Sequence, residues 1–362
     1  MSSPEALTQP RSAGGDARHG EGTALVGTSQ RMSVRIAVVG AGGVAARHVR
    51  VLSGLDDARV VAVADTVAEA AERLAATCDA TAYADATTLL DRERVDAVYV
   101  CVPPFAHGEP ERAVLARGLP LFVEKPLAAD LDTAAALAAE VEAAEVVTGT
   151  GYHWRCLDTV ERAAALLAGA PARLALGSWL DKVPPPAWWA TRALSGGPVV
   201  EQLTHVVDLA RLLVGEVEEV TAAGSRTEDS PGDIDDVTAA SVRFRGGAVG
   251  TFTASSLLPA KHTAALRTVS PRLVLDLSEQ ELVVERDGER QTIRPAVDGH
   301  QAVDREFVDA VLGRRERTRV PYAEALATHR VACALATSAA TGKPVALADH
   351  GAPVPARDGA PA

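Results

Sequence analysis

Three short stretches hold residues whose types and spacing could do chemistry. In Glu124-Lys125-Pro126 an amine follows an apolar run, Leu119 to Val123, that reads as a strand. The chain has 32 arginines and only four lysines (Lys125, Lys182, Lys261 and Lys343), so arginine serves wherever a plain positive charge is enough. Each lysine therefore raises the question of whether an ammonium is specifically needed. At the carboxyl end of a strand, where ligands bind in open α/β sheets, Lys125 would polarise a carbonyl or an alkoxide; the plainer alternative is a lysine at a strand end on the surface. The stretch from Ser195 to Asp208 reads SGGPVVEQLTHVVD. On a helix Glu201 and His205 are i and i+4 and share a face, with Asp208 three residues further on. A carboxylate that orients a histidine is an acid–base arrangement; the alternative is an ion pair on a helix surface. Further ligands at a suggestive spacing are absent, so no metal site is read.

The third stretch, Gly40-Ala41-Gly42-Gly43-Val44-Ala45, is a G-x-G-x-x-A turn between a β-branched run and a helical segment. Gly40 permits the tight turn, and Gly42 lets a pyrophosphate approach the backbone at the positive end of the helix. Asp65 lies 20 residues beyond Ala45, at the end of the next apolar run, where a carboxylate accepts hydrogen bonds from an adenosine ribose. Thr66-Val67-Ala68 supplies no arginine for a 2′-phosphate, which favours NAD and leaves NADP open. Val102-Pro103-Pro104 follows another apolar run, where a loop should pass over the nicotinamide end. His107 is either a cofactor contact or a helix-cap histidine. Glu124 and Lys125 complete the expected cofactor-facing set.

These residues need a scaffold. Runs such as VRIAVV, RVVAVA, DAVYVC, LPLFVE and EVVTGTG alternate with Ala/Leu/Glu segments of helical spacing from Val34 to Gly151. Continuous apolar strands interleaved with helices indicate a parallel, doubly wound sheet covered on both faces. Beyond about Arg155 the texture changes. Helices are expected over Asp158 to Ala168, Val199 to Val214, Val303 to Gly313 and Ala323 to Thr341. Between them lie a strand near Arg173 to Leu180 and a series of runs, from VTAAGSR to RQTIRP, that read as antiparallel strands. Residues 1–33, rich in Ser, Gly, Ala and Thr, read as a disordered extension, with Met32 as a possible start, and 348–362 as a flexible tail. The expected division is a cofactor domain over 34–153 and a second domain over 154–347.

Composition narrows the function. The chain has 362 residues, 47% hydrophobic and 23% charged, as in ordinary globular proteins, and no run approaches a membrane helix. A net charge of −12 without a basic stripe argues against nucleic acid and anionic membranes as partners. Four scattered cysteines without a C-x-x-C, and the lack of a secretory signal pattern, suggest a reduced, cytoplasmic chain.

Together the G-x-G-x-x-A turn, VPPFAH, EKP and GGPVVEQLTHVVD resemble the Gfo/Idh/MocA oxidoreductase family, over roughly Val34 to Leu347. The resemblance implies an N-terminal Rossmann domain and a C-terminal α+β domain with a large open, mostly antiparallel sheet that often forms a homo-oligomer interface. It implies that Lys125 is the active-site lysine, that His205 is the acid–base histidine, and that Glu201 stands where many members have aspartate. Tyr152-His153-Trp154-Arg155 falls at the domain junction, where Arg155 either supports the active site or forms a junction ion pair. Trp188 and Trp189 would stack on a sugar or pack a lid. The implied activity is hydride transfer between nicotinamide and a hydroxyl-bearing carbon of a sugar, cyclic polyol or sugar derivative. Two alternatives are a glycosidase or lyase that oxidises transiently, and a cofactor-sensing protein without activity.

Overall fold

The computed structural model describes residues 33–348, apart from Asp229. The expected extension and tail lie almost wholly outside them. Two sheets organise the chain. The first contains β1 (Val34–Val39), β2 (Ala58–Ala64), β3 (Thr81–Tyr83), β4 (Ala97–Val100), β5 (Leu121–Val123) and β6 (Thr148–Thr150). They run in parallel in the order β3-β2-β1-β4-β5-β6. Helices α1 (Gly43–Leu52), α2 (Ala68–Ala76), α3 (Ala86–Arg92), α4 (Glu109–Leu115) and α5 (Leu131–Ala144) connect them. Every residue of β4 is buried, which is why this strand reads as an unbroken apolar run. The order reverses between β1 and β4, the crevice where open α/β sheets bind ligands. The ends of these strands converge there. Gly40 has φ +95°, and a Cβ on it would lie 2.4 Å from the Cys101 carbonyl oxygen.

Helix α6 (Asp158–Ala168) leads to the second sheet. Its strands are β7 (Leu174–Leu180), β8 (Val217–Ser225), β9 (Val237–Phe244), β10 (Val249–Ser255), β11 (Thr263–Ser270), β12 (Leu273–Ser278), β13 (Leu282–Arg286), β14 (Glu289–Ile293) and β15 (Val345–Ala346). Their order is β14-β13-β12-β11-β7-β10-β9-β8-β15, antiparallel except that β7 and β10 run parallel. Strand β9 alternates buried and exposed residues, as a sheet covered on one face should. The covering helices are α6, α8 (Thr204–Val214) and the second half of α10 (Tyr322–Thr341), through Val160, Val206, Leu209, Val331 and Leu335. A short α7 (Arg192–Ser195) precedes α8.

The expected α/β class and the two kinds of sheet are present. Two strands escaped the sequence: β3, of three residues, and β15, of two. The helix expected from Val199 begins with a π-helical turn, Val199–Leu203, before α8 proper. The cover of the first sheet is also not confined to residues 34–153. Helix α9 (Gly299–Val311) packs Val303, Phe307 and Val308 on one side of it, with Ile36, Tyr99 and Phe122. The first half of α10 packs Tyr322, Ala325 and Leu326 on the other, with Val98, Leu121 and Leu137. Among the described residues no helix is long and apolar enough to cross a membrane.

Candidate active site

Four loops at the carboxyl edge of the first sheet carry the expected cofactor residues and Lys125. After β1, Gly42 and Gly43 open α1, which has no side-chain cap at its N-terminus. A Cβ on either glycine would meet nothing within 4 Å, so the helix start faces open space. Val44, next to it, is 39% exposed, unusual for a large apolar residue at a helix start. An uncapped, uncovered helix N-terminus suits a pyrophosphate. Asp65, after β2, turns its carboxylate back onto this loop. Its Oδ2 accepts from the Ala41 N–H at 2.7 Å and its Oδ1 from the Val67 N–H at 2.8 Å. A carboxylate has about four acceptor sites, so two remain for ribose hydroxyls. The residues present fit a dinucleotide.

After β4, Val102 and Pro103 are half-buried. His107 is buried, and its Nδ1 lies 2.5 Å from Glu111 Oε1, whose other oxygen accepts from the Gly108 N–H. Glu111 thus caps α4 and holds the His107 ring with its other oxygen. Glu124, after β5, departs from the expected cofactor contact. It is 5% exposed, and its carboxylate takes His48 Nε2 at 2.9 Å and the Lys125 N–H at 2.9 Å. His48, on α1, also reaches Asp304 of α9 at 2.7 Å. Burial works against charge on His48, yet Asp304 and Glu124 outweigh it and raise its pKa to about 9. Burial opposes ionisation of Glu124 too, but His48 draws it down to about 2. Glu124 therefore anchors the loop that aims Lys125, from beneath.

The Lys125 ammonium donates to the Glu201 main-chain carbonyl at 2.8 Å and to its carboxylate at 3.3 Å. The other oxygen of Glu201 accepts from Trp189 Nε1 at 3.3 Å. Both carboxylate oxygens are thus engaged away from His205, which corrects the expected Glu201–His205 pair. The helical spacing misled because Glu201 sits on the π-helical turn, with its i→i+5 bonding. Asp208 is likewise committed elsewhere, to Arg155 in a bidentate pair at 2.7 Å. Arg155 also reaches Glu324 of α10 at 3.0 Å, so an ion pair is present at the junction. Trp189 is 1% exposed, a packed residue rather than a stacking wall, whereas half-buried Trp188 meets Phe105 edge-on at 6.3 Å.

His205 lies among aromatic rings. Trp154 and Trp179 each stack 5.7 Å from it, and Tyr152 and His153 meet it edge-on at 5.8 and 5.3 Å. Its Nδ1 is buried without a hydrogen-bond partner. Burial, then the charge of Lys125, then His153 push its pKa well below the usual imidazole value. A second group lies against it. Glu279 Oε1, just after β12, is 3.0 Å from His153 Nε2 and 3.5 Å from His300 Nε2. Nothing in the sequence joins residues 153, 279 and 300, or 48, 124 and 304, because only the fold brings positions so far apart together.

Two family models match the chain. The model of the GFO_IDH_MocA oxidoreductase family, with NAD-binding Rossmann fold, matches residues 34–152, and that of the GFO/IDH/MocA C-terminal domain matches residues 172–280. A myo-inositol 2-dehydrogenase of Thermotoga maritima is 32% identical over 233 residues, 60% of this chain and 67% of that one. A D-xylose 1-dehydrogenase (NADP(+)) of Haloferax volcanii is 29% identical over 316 residues, 82% of this chain and 91% of that one. A levoglucosan dehydrogenase, solved with NADH and levoglucosan, superposes with a TM-score of 0.78 at 19% identity, over 87% of this chain and 99% of that one. At that identity the likeness is one of fold.

Proposed function

The chain belongs to the Gfo/Idh/MocA oxidoreductase family, and on that footing we propose that Lys125, His205 and Glu201 form the catalytic group of an NAD(P)-dependent oxidoreductase acting on CH–OH carbons of sugars or cyclic polyols. The observation that carries this reading is the junction of Lys125 with Glu201, 2.8 Å from ammonium to main-chain carbonyl, beside His205 at the carboxyl edge of the first sheet.

Gly40, Ala41, Gly42, Gly43, Val44 and Asp65 would hold NAD, with Val102 and Pro103 toward its nicotinamide, and the bound cofactor supplies the acceptor for hydrogen leaving the carbinol carbon with its electron pair. Everything else falls to the side chains. His205 is kept neutral by burial and by Lys125, so it can accept the hydroxyl proton. The Lys125 charge stabilises the alkoxide as that proton leaves, in a site with little water to screen it. Glu201 acts through Lys125, fixing the ammonium with its carbonyl and carboxylate. His205→Asn should lower the rate by roughly 10² to 10⁴-fold, the usual share of a positioned acid–base group. A variant that kept most of its activity in steady-state assays would remove His205 from this role.

NAD should bind more tightly than NADP, because the Asp65 carboxylate repels a 2′-phosphate. Fluorescence titration of both reduced cofactors tests this, and Asp65→Ala should narrow the difference. Tighter NADP binding to the unaltered protein would overturn it. Assay against a panel of cyclic polyols and sugars should show a net change in nicotinamide absorbance; turnover without one would indicate transient oxidation instead.

The same reading includes a homo-oligomer joined through the uncovered face of the second sheet, where Ser241, Arg243 and Thr251 are exposed, and a cytoplasmic setting, with Cys78, Cys101, Cys156 and Cys333 all unpaired. Light scattering of the purified chain tests the first.

A further inference from the structure

We propose that His153, Glu279 and His300 form a binding site for one divalent transition-metal ion beside His205. Three separate elements deliver these side chains: the turn after β6, the turn after β12 and the first turn of α9. Their ligand atoms all lie within 4.8 Å of one another. The separations from Glu279 Oε1, 3.0 Å to His153 Nε2 and 3.5 Å to His300 Nε2, span the spacing set by a small ion. Bonds of about 2.0–2.2 Å at a tetrahedral angle place neighbouring ligand atoms roughly 3.3–3.5 Å apart.

The surroundings support ligation. His153 is 8% exposed, and its Nδ1 lies 3.5 Å from the Gly151 carbonyl oxygen. That is the contact by which a ligating histidine is commonly oriented, leaving Nε2 for the ion. The two imidazoles stack with centroids 3.7 Å apart and planes 28° apart, so both present the same edge to Glu279. Two imidazoles and one carboxylate suit zinc, manganese, cobalt or iron(II) and not magnesium or calcium, which take oxygen ligands. Three protein ligands leave at least one position free. Because the His153 and His205 rings are 5.3 Å apart, that position is close enough to hold an oxygen of the molecule on which His205 acts.

One lysine opposes the ion. Lys261 Nζ sits 4.0 Å from Glu279 Oε2 and 4.3 Å above the Trp179 ring. Its side chain is 40% exposed and free to swing out, so it occupies the place of the cation until a metal displaces it. Lys261 thus weakens metal binding without abolishing it.

The full chain, stripped with chelator, is titrated with Co²⁺ and followed by visible absorption, with Zn²⁺ as competitor. One equivalent should give a ligand-field band that Zn²⁺ abolishes. His300→Ala and Glu279→Gln should each weaken binding by at least about tenfold, the least that loss of even an outer partner costs such sites, and Lys261→Gln should tighten it. Circular dichroism and NADH fluorescence on the same samples confirm that each variant is folded and cofactor-competent, which separates this test from that of the oxidoreductase reading. A folded protein that gives no band, or a band unchanged in both His300→Ala and Glu279→Gln, overturns the site.

Discussion

Lys125→Arg is expected to lose turnover almost as completely as Lys125→Ala, by roughly 10² to 10³-fold or more, the range for removing one preorganised donor to a developing oxyanion. The substitution keeps the charge and still fails, because the ammonium is a compact point charge held by one residue. Its Nζ is fixed by the main-chain carbonyl of Glu201 at 2.8 Å, within a side chain only 15% exposed. A planar guanidinium spreads its charge over a fork and cannot present it at the same point. NADH binding, read by fluorescence, should barely change in either variant, so the loss should appear in kcat. In a chain with 32 arginines and four lysines, near-normal turnover by Lys125→Arg would make the amine incidental.

The second large effect concerns stability. His48→Leu should destabilise the protein by about 3–5 kcal/mol, because it leaves Glu124 and Asp304 as buried carboxylates without their cation. Urea unfolding measures it, and the triple change His48→Leu, Glu124→Gln, Asp304→Asn should recover much of the loss, since it removes the charges together. The pH dependence has two limbs. His48 is raised from 6.5 to about 9, so its contribution is complete below pH 6.5 and is lost as pH rises through 9. Glu124 is lowered from 4.5 to about 2, so its contribution is complete above pH 4.5 and is lost as pH falls through 2. The difference between wild type and His48→Leu should therefore be greatest between about pH 4.5 and 6.5. A cost below about 1 kcal/mol, the usual worth of a solvent-exposed pair, would show that the carboxyls take up protons instead.

Much of this protein is legible from the chain because its chemistry sits in contiguous motifs. A glycine turn, an acid at the end of the next strand and a lysine at the end of β5 are each local, and a parallel sheet fixes where local strand ends meet. Burial also wrote itself into the strands, as the unbroken apolar β4 and the alternating β9 show. What stayed hidden was partnership. Glu201 and His205 are four residues apart, yet Glu201 serves Lys125, 76 residues away, because a π-helical turn and a tryptophan redirect its carboxylate. Glu124 looked like a cofactor contact because it adjoins Lys125, but in the turn after β5 its carboxylate goes inward to His48. Its partner, His48, lies on α1 among residues that read as ordinary helix. For Arg155 the sequence named two roles but no partner, and the fold brings up Asp208 and Glu324.

The helices that close the first sheet bear on how the chain is made. One side of that sheet waits for Phe307 and Val308 and the other for Tyr322 and Leu326, which follow the end of β6 by more than 150 residues. A ribosome finishes the six strands of the nucleotide domain long before it delivers either cover. Until both helices have emerged this domain presents apolar surface on both sides, so it should mature only after Leu326 has left the ribosome, and depend on chaperones until then. A nascent chain arrested near residue 298 should be protease-sensitive throughout, and one arrested past Gly342, with the ribosomal tunnel cleared, should not.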